Sequence, residues 1–145
     1  MIKSFRGILA DGGQDTIRLS TNKGEMGYKI AKFQGIGAQP SAGGDAGEHF
    51  LFLWTYEQAA VSTTTAVVDF SNSELLGVCW VPNNSERPFA TAIIFDHVEF
   101  NQDIYITHTD NSGATDCNYY IELEQVKLSQ NEAAITTLKD MRGTN

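Results

Sequence analysis

The chain is poor in the side chains that most often carry chemistry. Its 145 residues include two cysteines, Cys79 and Cys117, and three histidines, His49, His97 and His108. Two cysteines allow one disulfide at most, which excludes the disulfide-rich secreted scaffolds, and we expect two buried free thiols instead. The histidines are dispersed, and none has a neighbouring cysteine at the spacing of a zinc motif. The sequence therefore predicts no metal site.

Recognisable catalytic patterns are also missing. Adjacent residues of a strand point to opposite faces, so Asp96 and His97 cannot form a dyad there, and no Gly-x-Ser-x-Gly elbow supplies a nucleophile. The glycine-rich segment 42–47 lacks the lysine of a phosphate-binding loop. We expect a protein that is not an enzyme and has no cofactor. A weak calcium site at loop carboxylates such as Asp110 and Asp116 stays open, because calcium needs only oxygen ligands.

Positive charge and long apolar runs are scarce. Ten lysines and arginines stand against eighteen acidic residues, which gives a net charge of -8. An acidic chain repels phosphate backbones, so direct nucleic-acid binding is disfavoured. The longest apolar run, residues 50–54, is far shorter than the roughly 20 residues of a membrane span. The N-terminus lacks the apolar core of a signal peptide. We expect no membrane segment and no secretory leader.

Strand patterns dominate what is present. Apolar residues make up 41% of the chain, and this length suits one domain with a single core. The strands are predicted at residues 1–9, 16–20, 28–36, 48–58, 67–70, 75–81, 91–95, 103–109 and 119–128. Short, regularly spaced strands are typical of an antiparallel β-sandwich or jelly roll. We predict such a domain over residues 1–128.

Two finer features follow from the same patterns. Residues 110–113 (DNSG) are typical of a tight turn and predict a hairpin between the strands that flank them. The apolar positions of the last strand change phase, from Tyr119, Ile121 and Leu123 to Val126 and Leu128. One extra residue near Glu124–Gln125 would produce that change, so we predict a β-bulge there.

The C-terminal residues 129–145 predict one short α-helix. Ser129 and Glu132 have the spacing of a capping box, and apolar residues follow at helical spacing: Ala134, Ile135, Leu138 and Met141. A helix this short is marginal alone. We therefore expect it to pack on the same domain or on a neighbouring subunit.

The strand at residues 48–58 has apolar side chains on both faces. Leu51 and Leu53 point to one face. Four aromatic side chains point to the other: Phe50, Phe52, Trp54 and Tyr56. A strand that is apolar on both faces is usually covered on both, and the second cover can be a loop, a helix or another subunit.

The aromatic stripe has three interpretations: simple core, a sugar-binding platform or an oligomer interface. Aromatic residues are enriched in the cores of interfaces. The candidate interface residues are therefore the stripe together with two residues of the predicted helix: Phe50, Phe52, Trp54, Tyr56, Leu138 and Met141.

Segments near both ends of the chain carry recognisable motifs. They are residues 15–22 (DTIRLSTN), 94–96 with 100–108 (IFD and FNQDIYITH), 118–124 (NYYIELE) and 137–142 (TLKDMR). Together these segments resemble a group of small proteins from marine tailed bacteriophages, chiefly cyanophage-like and pelagiphage-like viruses. The similarity thins between residues 39 and 86. The motifs are structural patterns, so they transfer no catalytic residues.

The resemblance implies a structural protein of the virion, assembled in the host cytoplasm. We expect a capsid decoration or cement protein that stabilises the shell through protein–protein contacts. Its partners would be the major capsid protein, further copies of itself, or both, with a trimer favoured by analogy. Two alternatives stay open: a tail-associated, adaptor or fibre-base protein, and a carbohydrate-binding host-recognition module that uses Trp54, Tyr56 or Trp80.

Overall fold

The computed structural model describes residues 1–19, 26–38, 48–82, 91–95, 99–111 and 115–128, together with Ile135, Thr136 and Leu138. Eight strands make up its regular structure: β1 (Ile2–Leu9), β2 (Gln14–Ile17), β3 (Met26–Gly37), β4 (Glu48–Trp54), β5 (Leu75–Pro82), β6 (Thr91–Ile94), β7 (Ile104–Asp110) and β8 (Cys117–Lys127). The prediction of a mainly β fold is confirmed. The predicted helix at 129–145 falls outside the described residues, apart from those three positions.

The strands form two antiparallel sheets. One has three strands in the order β1-β8-β3, and the other has five in the order β2-β7-β4-β5-β6. The pairing is nested, because β1 pairs with β8, β2 with β7, and β4 with β5. Nested pairing across two sheets is that of a jelly roll. It departs from the regular form at β6, which extends the larger sheet by pairing with β5.

The core lies between the sheets and is built by alternation. Every second residue of a strand points to the same face, and the inward positions include apolar residues on both β7 and β8. Ile104 and Ile106 on β7 and Ile121 and Leu123 on β8 are fully buried. They belong to one hydrophobic cluster that contains residues of both sheets.

Two glycines have positions that a side chain would disturb. Gly12 has a φ of 80° in the turn between β1 and β2, as the sequence Asp11-Gly12-Gly13 predicts. At Gly35 on β3, an added Cβ would lie 2.5 Å from Leu51 Cδ1 and 3.0 Å from Val81 Cγ2 of the facing sheet. The two sheets therefore pack closely at this position, where β3 has no side chain.

The predicted hairpin at residues 110–113 is wrong, because β7 and β8 belong to different sheets. The Asp110 carboxylate accepts hydrogen bonds from the Thr115 backbone nitrogen at 3.3 Å and hydroxyl at 3.0 Å. These bonds tie the chain to Asp110 just before it enters the other sheet. Crossing over lets the apolar faces of both strands meet in the core, which a flat hairpin would not do.

The bulge is also not where the sequence predicts it. Lys29 and Tyr28 pair in regular register with Glu124 and Gln125, and the register shifts between Ile30 and Lys32 instead. The extra residue therefore lies in β3, opposite the middle of β8.

The predicted strand at 67–70 is wrong as well, since residues 55–74 contain no strand.

Candidate functional site

The outer face of the five-stranded sheet is aromatic, as predicted for residues 50–54. Phe50 and Phe52 stack with ring centroids 6.3 Å apart, and Phe52 and Trp54 stack at 5.6 Å. The neighbouring strand contributes Val78 beside Phe52 and Trp80 beside Phe50. Leu51 and Leu53 point inward and are fully buried. This sheet is therefore apolar on both faces.

A second, smaller hydrophobic cluster forms on this outer face. Phe52, Leu75 and Val78 are its buried members, and Ala66 and Phe95 are among the partly buried residues packed against it. Ala66 belongs to residues 55–74, which we name the covering segment. Part of the second cover is therefore supplied by a loop of the chain itself, one of the three possibilities left open by the sequence.

Polar contacts hold the covering segment on the sheet. Gln14 and Gln58 exchange two hydrogen bonds between side chain and backbone, at 2.9 and 3.0 Å. Thr109 donates its hydroxyl to the Ser62 carbonyl at 2.8 Å. Asn111 accepts from the Ala66 backbone nitrogen at 2.9 Å. These bonds fix the segment at separate points, with no continuous ladder.

Apolar side chains remain exposed around this cover. Val67, Val68 and Phe70 of the covering segment are 74%, 43% and 53% exposed, and Ile93 of β6 is 42% exposed. Phe70 packs edge-on against Phe95, which joins it to the outer cluster. We name Val67, Val68, Phe70 and Ile93 the outer patch.

The three-stranded sheet presents a different outer face. Its exposed side chains include polar ones such as Arg6 and Gln34, which lie opposite Tyr120 in the strand register. Ile8 of β1 and Ile36 of β3 are large, exposed apolar side chains on this face. Asn118 of β8 lies between them in the strand register. Two isoleucines separated by a polar residue do not make a patch.

The predicted interface residues differ in their positions. Phe52 is buried in the outer cluster, and Phe50, Trp54 and Tyr56 are half-buried. Leu138 is 57% exposed. Met141 lies outside the described residues. Among the described members, the structure brings Phe50, Phe52 and Trp54 together.

The two tryptophans of the carbohydrate-binding alternative are partly covered. Trp54 and Trp80 are half-buried, and Trp54 Nε1 donates to the Thr107 hydroxyl at 2.9 Å. Trp80 Nε1 is buried and has no hydrogen-bond partner. The ring of Trp54 also stacks on Phe52.

A second site lies inside the sandwich and was missed by sequence reasoning. His49 on β4, His108 on β7 and Cys117 at the start of β8 have side chains that are fully buried. One ligand atom from each lies within 4.8 Å of the other two. His49 and His108 are far apart in the sequence but adjacent in the fold. Their separation along the chain therefore does not prevent them from sharing a site.

For two neutral imidazoles, the hydrogen bonds of the cluster determine which nitrogen of each ring donates and which accepts. His108 Nδ1 lies 3.1 Å from the Ala10 carbonyl oxygen, and a carbonyl can only accept, so His108 Nδ1 carries a proton. In the neutral ring, His108 Nε2 then has a free electron pair. His49 Nδ1 lies 2.9 Å from that atom and must be the donor of this bond.

A buried carboxylate adjoins the histidines. Asp110 is 1% exposed, and its Oδ2 lies 3.9 Å from His49 Nδ1. Its oxygens accept hydrogen bonds from the backbone nitrogens of Glu48 and Thr115. Backbone donors aimed at both carboxylate oxygens favour the ionised form. These donors therefore stabilise a carboxylate at the edge of the cluster.

Both predicted free thiols are confirmed as free and buried. Burial raises the pKa of Cys79 to about 11. Burial, with smaller contributions from Cys79 and Asp110, raises the pKa of Cys117 to about 12. Near neutral pH both groups are protonated thiols, which do not act as nucleophiles.

Alternation contains a signal for the buried cluster. His49 is in phase with the inward residues Leu51 and Leu53, and His108 is in phase with Ile104 and Ile106. Cys117 is likewise in phase with the inward residues of β8. Inward histidines on two strands would have indicated a polar site in the core, but their contact depends on which strands pair.

No protein-family model matches this chain, and no curated protein matches its sequence. Among the described residues, no helix has both the length and the apolar character needed to cross a membrane.

Proposed function

We propose that this chain is a structural protein of a tailed-bacteriophage particle. More specifically, we propose a capsid decoration or cement protein that stabilises the shell through protein–protein contacts. One observation carries the proposal: the five-stranded sheet is apolar on its outer face, and the covering segment leaves the outer patch exposed. Exposed apolar side chains grouped on one face are typical of interaction sites.

Two further considerations support this choice. The sequence motifs resemble proteins of marine tailed phages. The nested jelly-roll pairing is also used by viral capsid domains, although lectins and cupins use it too, so this support is analogy at the level of the fold. The net charge of -8 makes a protein surface a better partner than nucleic acid.

The proposed mechanism is the burial of apolar area between subunits. Val67 and Phe70 would insert into the partner, and Phe70 is supported by the ring of Phe95, against which it packs. Each 100 Å² of apolar surface removed from water contributes about 2.5 kcal/mol before the entropic cost of association. Many copies bound across subunit boundaries would then stabilise a shell against internal pressure.

The test is binding to capsid shells that lack this protein. Wild-type protein and the variants Val67→Asp and Phe70→Asp are mixed with shells, and the bound fraction is measured by co-sedimentation. We expect each variant to lose at least about tenfold in affinity, because a buried unpaired charge costs several kcal/mol. Thermal stability should change little for Val67→Asp, since that side chain is 74% exposed.

The matched control is Ile36→Asp, which places the same charge at a 64% exposed apolar residue of the other sheet. It should bind shells as wild type does. Normal binding by both outer-patch variants, or absence of the protein from washed virions by mass spectrometry, would refute the proposal. Copy number separates shell from tail, since hundreds of copies per particle indicate the shell and a dozen or fewer indicate the tail.

A further inference from the structure

We propose that His49, His108 and Cys117 form a binding site for one Zn²⁺ ion that cross-links the two sheets. The proposal does not depend on the function proposed above. His49 and His108 lie on the five-stranded sheet, and Cys117 lies on the three-stranded sheet. A metal held by all three would join the sheets at the end of the sandwich that is closed by the turn at residues 10–13.

The chemistry of the donor atoms selects the metal. Two imidazole nitrogens and one sulfur are borderline and soft ligands, which suit Zn²⁺ and disfavour the oxygen-seeking Mg²⁺ and Ca²⁺. All three side chains are fully buried. Catalytic zinc sites keep a position open to water and substrate, whereas structural sites are closed. The burial therefore indicates a structural metal.

The hydrogen bond to Ala10 prepares His108 as a ligand. Histidines that bind metals usually donate their other ring N–H to a carbonyl or carboxylate, which fixes the tautomer and the ring orientation. The contact of His108 Nδ1 with the Ala10 carbonyl is that arrangement, and it aims the Nε2 electron pair at His49 Nδ1.

Metal binding replaces the hydrogen bond between the two imidazoles. The nitrogens are 2.9 Å apart, and ligand atoms around a tetrahedral zinc are separated by roughly 3.3–3.6 Å. The rings must therefore separate by a few tenths of an ångström. His49 keeps one proton by carrying it on Nε2, and Cys117 releases its thiol proton to solvent as it binds through sulfur.

Charge balance favours a divalent ion at this depth. Imidazole and cysteine bind a metal as neutral ring and thiolate, so the Cys117 thiolate and a carboxylate at Asp110 would together offset the charge of Zn²⁺. A buried site with zero net charge avoids most of the cost of placing an ion in a low-dielectric interior. Asp110 Oδ2 lies 3.9 Å from His49 Nδ1 but is outside the set of mutually close ligand atoms, so it adjoins the site without being one of the three assigned ligands.

The test uses the full-length protein with Zn²⁺ and with Co²⁺ as a spectroscopic substitute. Chelator-treated protein is incubated with Zn²⁺, desalted and analysed for bound metal and thermal unfolding. We expect one equivalent of zinc to be retained and the Tm to rise. With Co²⁺ we expect a thiolate-to-metal charge-transfer absorption, which reports sulfur coordination independently of stability.

The variants assign the ligands. Cys117→Ser should abolish the charge-transfer absorption, and His108→Gln should weaken zinc binding at least tenfold. Cys79→Ser is the matched control, because Cys79 is an equally buried thiol outside the ligand set, and it should bind zinc as wild type does. Wild-type protein that retains no zinc and gives no charge-transfer absorption would overturn the proposal, whatever the folding of the variants. Loss of that absorption in Cys79→Ser but not in Cys117→Ser would overturn the ligand assignment.

Discussion

Tyr119 joins the two sheets through one hydrogen bond. Its hydroxyl donates to Asp15 Oδ2 at 3.0 Å, from β8 of one sheet to β2 of the other. Burial, the hydrogen bond to Asp15 and the charge of that carboxylate raise the pKa of Tyr119 far above its ordinary value of 10.0. The folded protein therefore keeps this hydroxyl protonated at a pH where the unfolded chain ionises it.

This shift predicts a loss of stability at alkaline pH. Between about pH 9 and pH 11 the unfolded state binds fewer protons than the folded state, so the free energy of unfolding falls as the pH rises. We expect Tyr119→Phe to reduce that slope, and to cost about 1–2 kcal/mol at neutral pH through the lost hydrogen bond. Denaturant unfolding measured across this pH range tests both effects.

Tyr120→Phe is the control for this measurement. Tyr120 donates its hydroxyl to Glu122 on its own strand at 2.8 Å and also has a side-chain hydrogen bond with Ser4 of β1, so these contacts stay within one sheet. Its replacement should change the pH slope and the neutral-pH stability less than Tyr119→Phe does. Equal effects from the two variants would contradict the role assigned to Tyr119.

The inward residues were predictable because their signal is local. Ile104, Ile106, Leu51 and Leu53 alternate with outward neighbours, and a period of two places them on one face whatever the strand pairs with. The contact between His49 and His108 was not predictable in that way. It joins residues 59 positions apart and exists only because β4 pairs with β7.

At the level of elements, strand existence was easier to predict than strand pairing. Local pattern indicated seven strands near their observed positions and placed β2 a few residues late. It also added a strand at residues 67–70, where Val67 and Val68 have strand propensity but are exposed in the covering segment. The turn sequence at residues 110–113 suggested a hairpin, yet the need to bury both faces of the core separated the two strands into different sheets.

The covering segment depends on a few side-chain contacts outside any strand ladder. Asn111 accepts a hydrogen bond from the Ala66 backbone nitrogen and donates one to the Glu48 carboxylate at 3.1 Å. Segments held by isolated bonds open at lower free energy than sheet strands. We expect Asn111→Ala to accelerate amide hydrogen exchange at residues 62–68 and to lower global stability by only about 1 kcal/mol.

Asn118→Ala is the control for this experiment, because Asn118 is an exposed asparagine of the other sheet. It should leave exchange in the covering segment unchanged. If Asn111→Ala also left that exchange unchanged, other contacts would be sufficient to hold the segment. Faster exchange without weaker capsid binding would mean that the outer patch adapts to its partner after opening.

At the scale of the whole molecule, burial of apolar area favours self-association and the net negative charge opposes it. A specific interface buries about 800 Å² per partner, which is about a tenth of the 8332 Å² that this chain exposes. The outer patch can form the centre of such an area. Each copy also has a net charge of -8, so copies repel one another at low ionic strength.

These two effects predict that added salt strengthens the proposed homo-oligomer, for which analogy with decoration proteins favours a trimer. Screening shortens the range of the repulsion to roughly 8 Å at physiological ionic strength, while apolar burial is not weakened by salt. The mass in solution, measured by light scattering at micromolar concentration, should therefore rise between low and physiological salt. Val67→Asp should shift the mass toward the monomer, because it adds charge and removes apolar area at the proposed contact. Ile36→Asp adds the same charge on the other sheet and should leave the oligomer in place. A monodisperse monomer at every salt concentration would contradict self-association and leave the capsid as the partner of the outer patch.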